Sequence, residues 1–248
     1  MACYNRVQGE YGTQSEFLLT DILKKDWGFK GIVVSDWFAV VDRVKAMQAG
    51  MHLEMPNVSP VNNAIAVEAI KNGELDIAVV DALVKEILTV VFKAKSLQKE
   101  GVELNVEKDH AFARKVASEA ATLLKNDNDV LPISKDKYKK VAIIGEFAAA
   151  PRYQGNGSSQ VKPTKLDSAL EIIKNEYGKG IKITYAQGYN LEDDNDTSLI
   201  LEAKKVAAEA DVVLVFSGLP LQYESEGIDR THIHMPPSHN KLIEEIGA

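Results

Sequence analysis

Short β-branched runs alternating with helical patterns constrain this chain more than any other feature. Ile32-Val33-Val34, Val141-Ala142-Ile143-Ile144, Ile181–Tyr185 and Asp211–Ser217 (DVVLVFS) each read as a buried parallel strand. Met51–Met55, stopped by Pro56, predicts a further short strand. Apolar residues at helical spacing predict helices over Thr13–Lys25, Val40–Ala49, Val61–Asn72 and Ile77–Lys95. The same spacing predicts later helices over Phe112–Leu124, Lys165–Tyr177, Ser198–Ala210 and Asn240–Ile246. Repeated βα units of this kind predict an α/β fold with parallel sheets and right-handed crossovers. Between Ser96 and His110 the periodicity fades and charge rises, which predicts a linker at 96–110 between α/β domains at 1–95 and 111–248.

The 248 residues are 45% hydrophobic, enough for a sizeable core. A net charge of −7, with both signs interspersed, argues against nucleic acid, because phosphate neutralisation needs clustered Lys and Arg. A neutral ligand such as a sugar is compatible with that balance. Cys3 is the only cysteine, so no intrachain disulfide forms. The histidines show no HExxH-like ligand spacing, which predicts no metal, and Asp193-Asp194-Asn195-Asp196 lacks the glycine and glutamate of a calcium loop and reads as a solvated turn. No apolar run approaches the roughly 20 residues of a membrane span, and the N-terminus lacks a basic-then-apolar signal pattern. As written, the chain is expected in the cytoplasm.

Three places carry candidate chemistry. Asp36 falls at the carboxyl end of a parallel strand, where α/β sheets place ligands; the plain alternative is an Asp that caps the following helix. Trp37 beside it is either packing or an aromatic platform for the C–H face of a pyranose. In the long loop Gly218–Pro237, Glu224 and Glu226 stand two apart, so extended chain would point both the same way and let one carboxylate raise the pKa of the other. The plain reading is a charged surface loop. Gly155-Asn156-Gly157-Ser158-Ser159 lacks dinucleotide-motif spacing and reads as a ligand-contact loop or an ordinary turn.

Taken in order, these segments resemble glycoside hydrolase family 3. LLTDILKKDWGFKGIVVSDW is similar to that family's signature around its nucleophile, which implies that role for Asp36, with Trp37 at the aglycone side. MACYNRVQG resembles a barrel segment whose Met and Tyr line the sugar subsite, here Met1 and Tyr4. MHLEMP resembles the last barrel strand, and LLKNDNDVLPI the entry of the second domain. YQGNGSS looks like a loop whose serine reaches the sugar, here Ser158, and ESEGIDRTHIHMPPSHNKLI a loop whose Glu before Gly is the acid/base, here Glu226. Gln8 stands where Asn is usual, and Asn156 where Gly is usual.

The resemblance implies the C-terminal part of a (β/α)8 TIM-like barrel followed by an α/β sandwich domain, both incomplete, with Met1 internal to a longer protein. It implies a retaining β-glucosidase acting on a β-glucoside or oligosaccharide without metal or organic cofactor. Such an enzyme needs an ionised and a protonated carboxyl about 5–5.5 Å apart. The acid's pKa would be raised by the neighbouring negative charge and partial burial. A β-xylosidase, a glucan exohydrolase and a non-catalytic glycan-binding fragment are the competing readings, and the fragment alone is expected to be inactive.

Overall fold

The computed structural model describes residues 1–56, 60–192 and 197–247, so the aspartate-rich stretch 193–196 lies outside the described residues. The chain divides into two compact units, Met1–Glu103 and Leu104–Ala248.

In the first unit, β1 (Arg6–Val7) and β2 (Glu10–Tyr11) form an antiparallel hairpin across Gln8 and Gly9. Both loop residues have positive φ, 54° and 86°, as a type I′ turn requires. Asn suits that conformation better than Gln, which is the physical content of the departure at position 8. A helix wound in the wide π form follows at Phe17–Asp26, then β3 (Val34–Trp37), a helix at Arg43–Gln48, and β4 (Leu53–Met55). β3 and β4 pair in parallel, and Ala2 bridges Ser35 on the other side of β3. Helices Pro60–Lys71 and Ile77–Leu97 complete the unit. Its core is small: Ala2, Leu19, Val33, Ala46, Ala49 and Met51 pack on one side, and Val44, Met47, Ala69, Leu75 and Leu83 on the other.

The second unit is a parallel sheet in the order β6-β5-β7, where β5 is Lys140–Ile144, β6 Lys182–Ala186 and β7 Val212–Val215. Successive side chains of β5 point to opposite faces, and both faces are buried. Ala142 and Ile144 pack under helices Thr197–Ala208 and Pro237–Gly247 with Ile200, Ala203 and Leu242, while Val141 and Ile143 pack with Ala148 and Leu170. A sheet covered twice needs continuous apolar strands, which is why Val141–Ile144 and Val212–Val215 do not alternate with polar residues.

Several expected boundaries shift, each for a local reason. The strand read as Ile32–Val34 is Val34–Trp37, so Asp36 lies within it rather than after it. The helix read as Val40–Ala49 begins at Arg43, because the Asp42 carboxylate accepts from Lys45 N at 3.0 Å and caps it there. The 96–110 stretch is helical at both ends, since one helix runs to Leu97 and the next starts at Val106 behind the Asn105 cap. That second helix ends at Ala120, not at Leu124. The helix read from Lys165 starts at Ala169, where Ser168 caps it, and continues to Tyr177.

Candidate active site

In the first unit the site is built around a bulge. Between the pairs Val34↔Leu53 and Trp37↔Met55, β3 holds one residue more than β4. The Ser35 hydroxyl fills the irregularity by accepting from Met55 N at 2.8 Å, while Asp36 N donates to Ala2 O at 2.7 Å. The backbone of Asp36 is thus held on one side by Ala2, and the hydroxyl of its neighbour Ser35 on the other by Met55. The Asp36 carboxylate accepts from Trp37 N at 2.8 Å. Helix capping, the plain alternative, belongs to Asp42 instead.

Directly after Trp37 the chain turns sharply. Phe38 has φ of 59°, a costly conformation for a large non-glycine residue. Strain of this kind concentrates at functional positions. Trp37 and Phe38 are 49% and 73% exposed, so Trp37 is not core packing within this unit. Ala2 is buried while Met1 and Tyr4 are exposed, 82% and 53%, on the segment that bridges Ser35.

A polar cluster that the sequence reading missed ties Val33, just before β3, to the helices Phe17–Asp26 and Ile77–Leu97. The His52 side chain is fully buried, its Nδ1 accepting from Val33 N at 2.9 Å and its Nε2 lying 2.7 Å from Glu86 Oε2. A backbone donor on Nδ1 places the proton on Nε2, which donates to Glu86. Lys24 Nζ reaches the same carboxylate oxygen at 2.6 Å. Burial pushes His52 below its ordinary 6.5, helped by Lys24, although the bond to Glu86 opposes it. Burial alone would raise Glu86, but the bonds from Lys24 and His52 outweigh it and hold the carboxyl below its ordinary 4.5.

Both folded pKa values lie below the unfolded ones, so the unfolded chain binds more protons in acid. The stabilisation is complete above the unfolded values and is lost as pH falls. The urea midpoint is expected to drop as pH descends from about 6.5, with a further loss below about 4.5. Both tryptophans, Trp27 and Trp37, lie in this unit, so their fluorescence follows its unfolding. An equal decline in a His52→Gln variant would place the pH dependence elsewhere.

In the second unit the topology creates the site. From β5 the chain passes to β6 on one side and then crosses to β7 on the other, so the loops leaving β5 and β7 diverge at the carboxyl edge, where open α/β sheets bind ligands. The strand ends approach closely: a Cβ on Gly145 (φ 118°) would lie 2.0 Å from Phe216 O. Tyr189 ties both loop roots together, its hydroxyl donating to Phe216 O at 2.7 Å and accepting from Phe147 N at 3.2 Å. Burial pushes that phenol up to about 12.

Each loop carries one candidate segment, and they meet. Glu226 N donates to Asn156 O at 3.2 Å, and Ser158 N donates to the Glu226 carboxylate. A Cβ on Gly157 (φ 97°) would come within 2.5 Å of Glu226 Cβ and Oε2, so only glycine leaves room for this grip. Glu226 and Ser158 are both exposed within the unit, so partial burial of the acid is not supplied by this unit. Ser225, Glu226, Gly227 and Ile228 form a tight turn closed by Ile228 N→Ser225 O at 3.3 Å, with Gly227 at φ 78°.

Glu224 does not share this site. Its carboxylate pairs with Arg152 Nη1 at 3.1 Å, while the Glu226 carboxylate accepts from Ser158 N. The two carboxylates of the expected pair are engaged by different partners, Arg152 and the Ser158 amide. A cavity of about 870 Å³ lies among Phe147, Arg152, Tyr153, Gln154, Leu191 and Leu221, but Glu226 and Ser158 do not line it.

These two loops and the Asp36 bulge sit on segments that match known domains. Residues 1–90 match the glycosyl hydrolase family 3 N terminal domain, and residues 121–248 the glycosyl hydrolase family 3 C-terminal domain. The chain belongs to glycosyl hydrolase family 3.

Among the relatives, thermostable beta-glucosidase B of Acetivibrio thermocellus is 45% identical over 247 residues, 99% of this chain and 32% of that protein. An exo-alpha-(1->6)-L-arabinopyranosidase of Bifidobacterium breve is 38% identical over 257 residues, covering 100% of this chain and 33% of its own length. The crystal structure of the Bifidobacterium adolescentis GH3 beta-glucosidase superposes with a TM-score of 0.89 at 38% identity, over 98% of this chain and 35% of that one. The chain thus spans about a third of the length of these relatives. Its α/β content fits theirs.

Proposed function

We propose that this chain carries the nucleophile and the acid/base of a retaining β-glucosidase. The observation that carries the proposal is the 45% identity, along nearly the whole chain, to a beta-glucosidase. In this reading residues 1–95 are the C-terminal part of a (β/α)8 barrel and residues 111–248 an α/β sandwich domain. The exposed apolar face of helix Ile77–Leu97, with Val84, Leu88, Val91 and Phe92 at helical spacing, supports a catalytic unit of the relatives' length, because such a face needs cover.

Asp36 attacks the anomeric carbon while Glu226 protonates the glycosidic oxygen, and the aglycone departs as the alcohol. Glu226, now a carboxylate, takes a proton from water, whose oxygen displaces Asp36 from the same face that the aglycone left. Two inversions give net retention. Trp37, Met1, Tyr4 and Ser158 are the residues assigned to the substrate, with the exposed indole offering a face to a sugar or aglycone ring.

The test is proton NMR of the first-formed sugar when the intact enzyme hydrolyses an aryl β-D-glucoside. β-Glucose is expected before mutarotation; α-glucose, or no hydrolysis, overturns the proposal. The 38% identity to an arabinopyranosidase favours a second reading, that of an aryl α-L-arabinopyranoside as the preferred substrate. A higher kcat/KM on that compound selects it.

A further inference from the structure

The Ser158 grip is one of several contacts that fasten the loop carrying Glu226. Another is Arg152, whose side chain is 17% exposed. Its Nη1 donates to Leu219 O at 2.8 Å and to Glu224 Oε2 at 3.1 Å, and its Nη2 donates to Glu224 O at 3.2 Å. Leu219 opens the loop, and Glu224 stands just before the turn that presents Glu226. One guanidinium therefore ties the root of the loop to the shoulder of its reactive tip.

On its own side Arg152 immediately precedes the segment that grips Glu226. That segment is closed at its base by Gln154, whose carboxamide accepts from Val161 N at 3.0 Å and donates to Val161 O at 3.1 Å. At its tip, Asn156 Oδ1 accepts from Gly157 N at 3.0 Å and from Gln160 Nε2 at 2.7 Å. The result is a closed frame: Arg152 to Glu224, along the chain to Glu226, across to Ser158, and back to Arg152. Opening the frame at Arg152 frees the shoulder of the turn while leaving both ends of the Ser158 contact in place.

We propose that Arg152 is a positioning residue for the Glu226 carboxyl, acting through Glu224 and the two carbonyls it binds. The inference rests on the reading of Glu226 as acid/base. The rigid fork of arginine is needed, because its acceptors lie on two different residues and a lysine ammonium offers only a point charge. Misplacing a catalytic group by an ångström costs about 100-fold, and the loss falls where proton donation matters most.

The test compares Arg152→Ala, Arg152→Lys, Glu224→Gln and Glu226→Ala in the intact enzyme, over aryl β-glucosides of graded leaving-group pKa. Arg152→Ala is expected to lower kcat on the poorest leaving groups about 10- to 100-fold, and far less on the most activated, with KM nearly unchanged. Arg152→Lys should recover part of the loss, and Glu224→Gln, which keeps the backbone contacts, should fall between wild type and Arg152→Ala. An equal loss on every leaving group, or none, overturns the positioning role. Where Arg152→Ala does not fold, the leaving-group dependence of Glu224→Gln decides the matter. Should Glu226→Ala show neither leaving-group dependence nor rescue by azide, the acid/base reading falls and this inference falls with it.

Discussion

Replacing Asp36 by asparagine in the intact enzyme is expected to lower turnover by about 10⁴-fold or more, with the fold unchanged. The amide cannot form the glycosyl ester through which a retaining enzyme works, yet it is nearly isosteric with the carboxylate. The structure explains why the fold should tolerate the change. Asp36 is held through its backbone, N to Ala2 O at 2.7 Å, and its side chain makes a local bond to Trp37 N that a carboxamide oxygen also accepts. The bulge is stitched by Ser35, not by Asp36. A thermal midpoint within a few degrees of wild type should therefore accompany the loss of activity. Mass spectrometry gives a second readout: a 2-fluoro glycoside should leave a covalent adduct on wild type and none on Asp36→Asn. Wild-type-like turnover, or an adduct on another residue, removes Asp36 from the role.

How much of this was legible in the residues depends on how local each cause is. The strands of the second unit were readable because a sheet buried on both faces demands unbroken apolar runs such as Val141–Ile144. The helix caps Asp42, Asn105 and Ser168 were also readable, and using them would have corrected three start positions. The bulge at Ser35–Asp36 was not, because it arises from pairing with Met55 and Ala2, far away in sequence. The separate partners of Glu224 and Glu226 were hidden for a similar reason. Extended geometry predicts neighbours on one side, but the partners are remote in sequence: Arg152, 72 residues from Glu224, and Ser158, 68 residues from Glu226. His52 offered a weak local signal, a histidine inside the apolar run Met51–Leu53, whereas its partner Glu86 lies 34 residues on. The resemblance located both loops of the second unit, but not that Ser158 meets Glu226 through its backbone amide.

That contact frames the other large effect. Glu226→Ala is expected to lower the rate on substrates with poor leaving groups by roughly 10²–10⁴-fold, the usual worth of general acid catalysis. Aryl glycosides whose phenolate leaves unaided should be far less affected in the glycosylation step. The intermediate on Asp36 would then accumulate, because no base remains to activate water, and azide should restore turnover by attacking it without base assistance, releasing a β-glycosyl azide. Glu224 is the control within the same loop. Its carboxylate is already engaged by Arg152, at 3.1 Å, whereas the Ser158 amide donates to Glu226. Glu224→Ala should accordingly weaken the loop without producing azide rescue. Detection of the glycosyl azide with Glu224→Ala but not with Glu226→Ala would transfer the acid/base role to Glu224. It would also mean that the Ser158 amide holds a carboxylate that the reaction does not use.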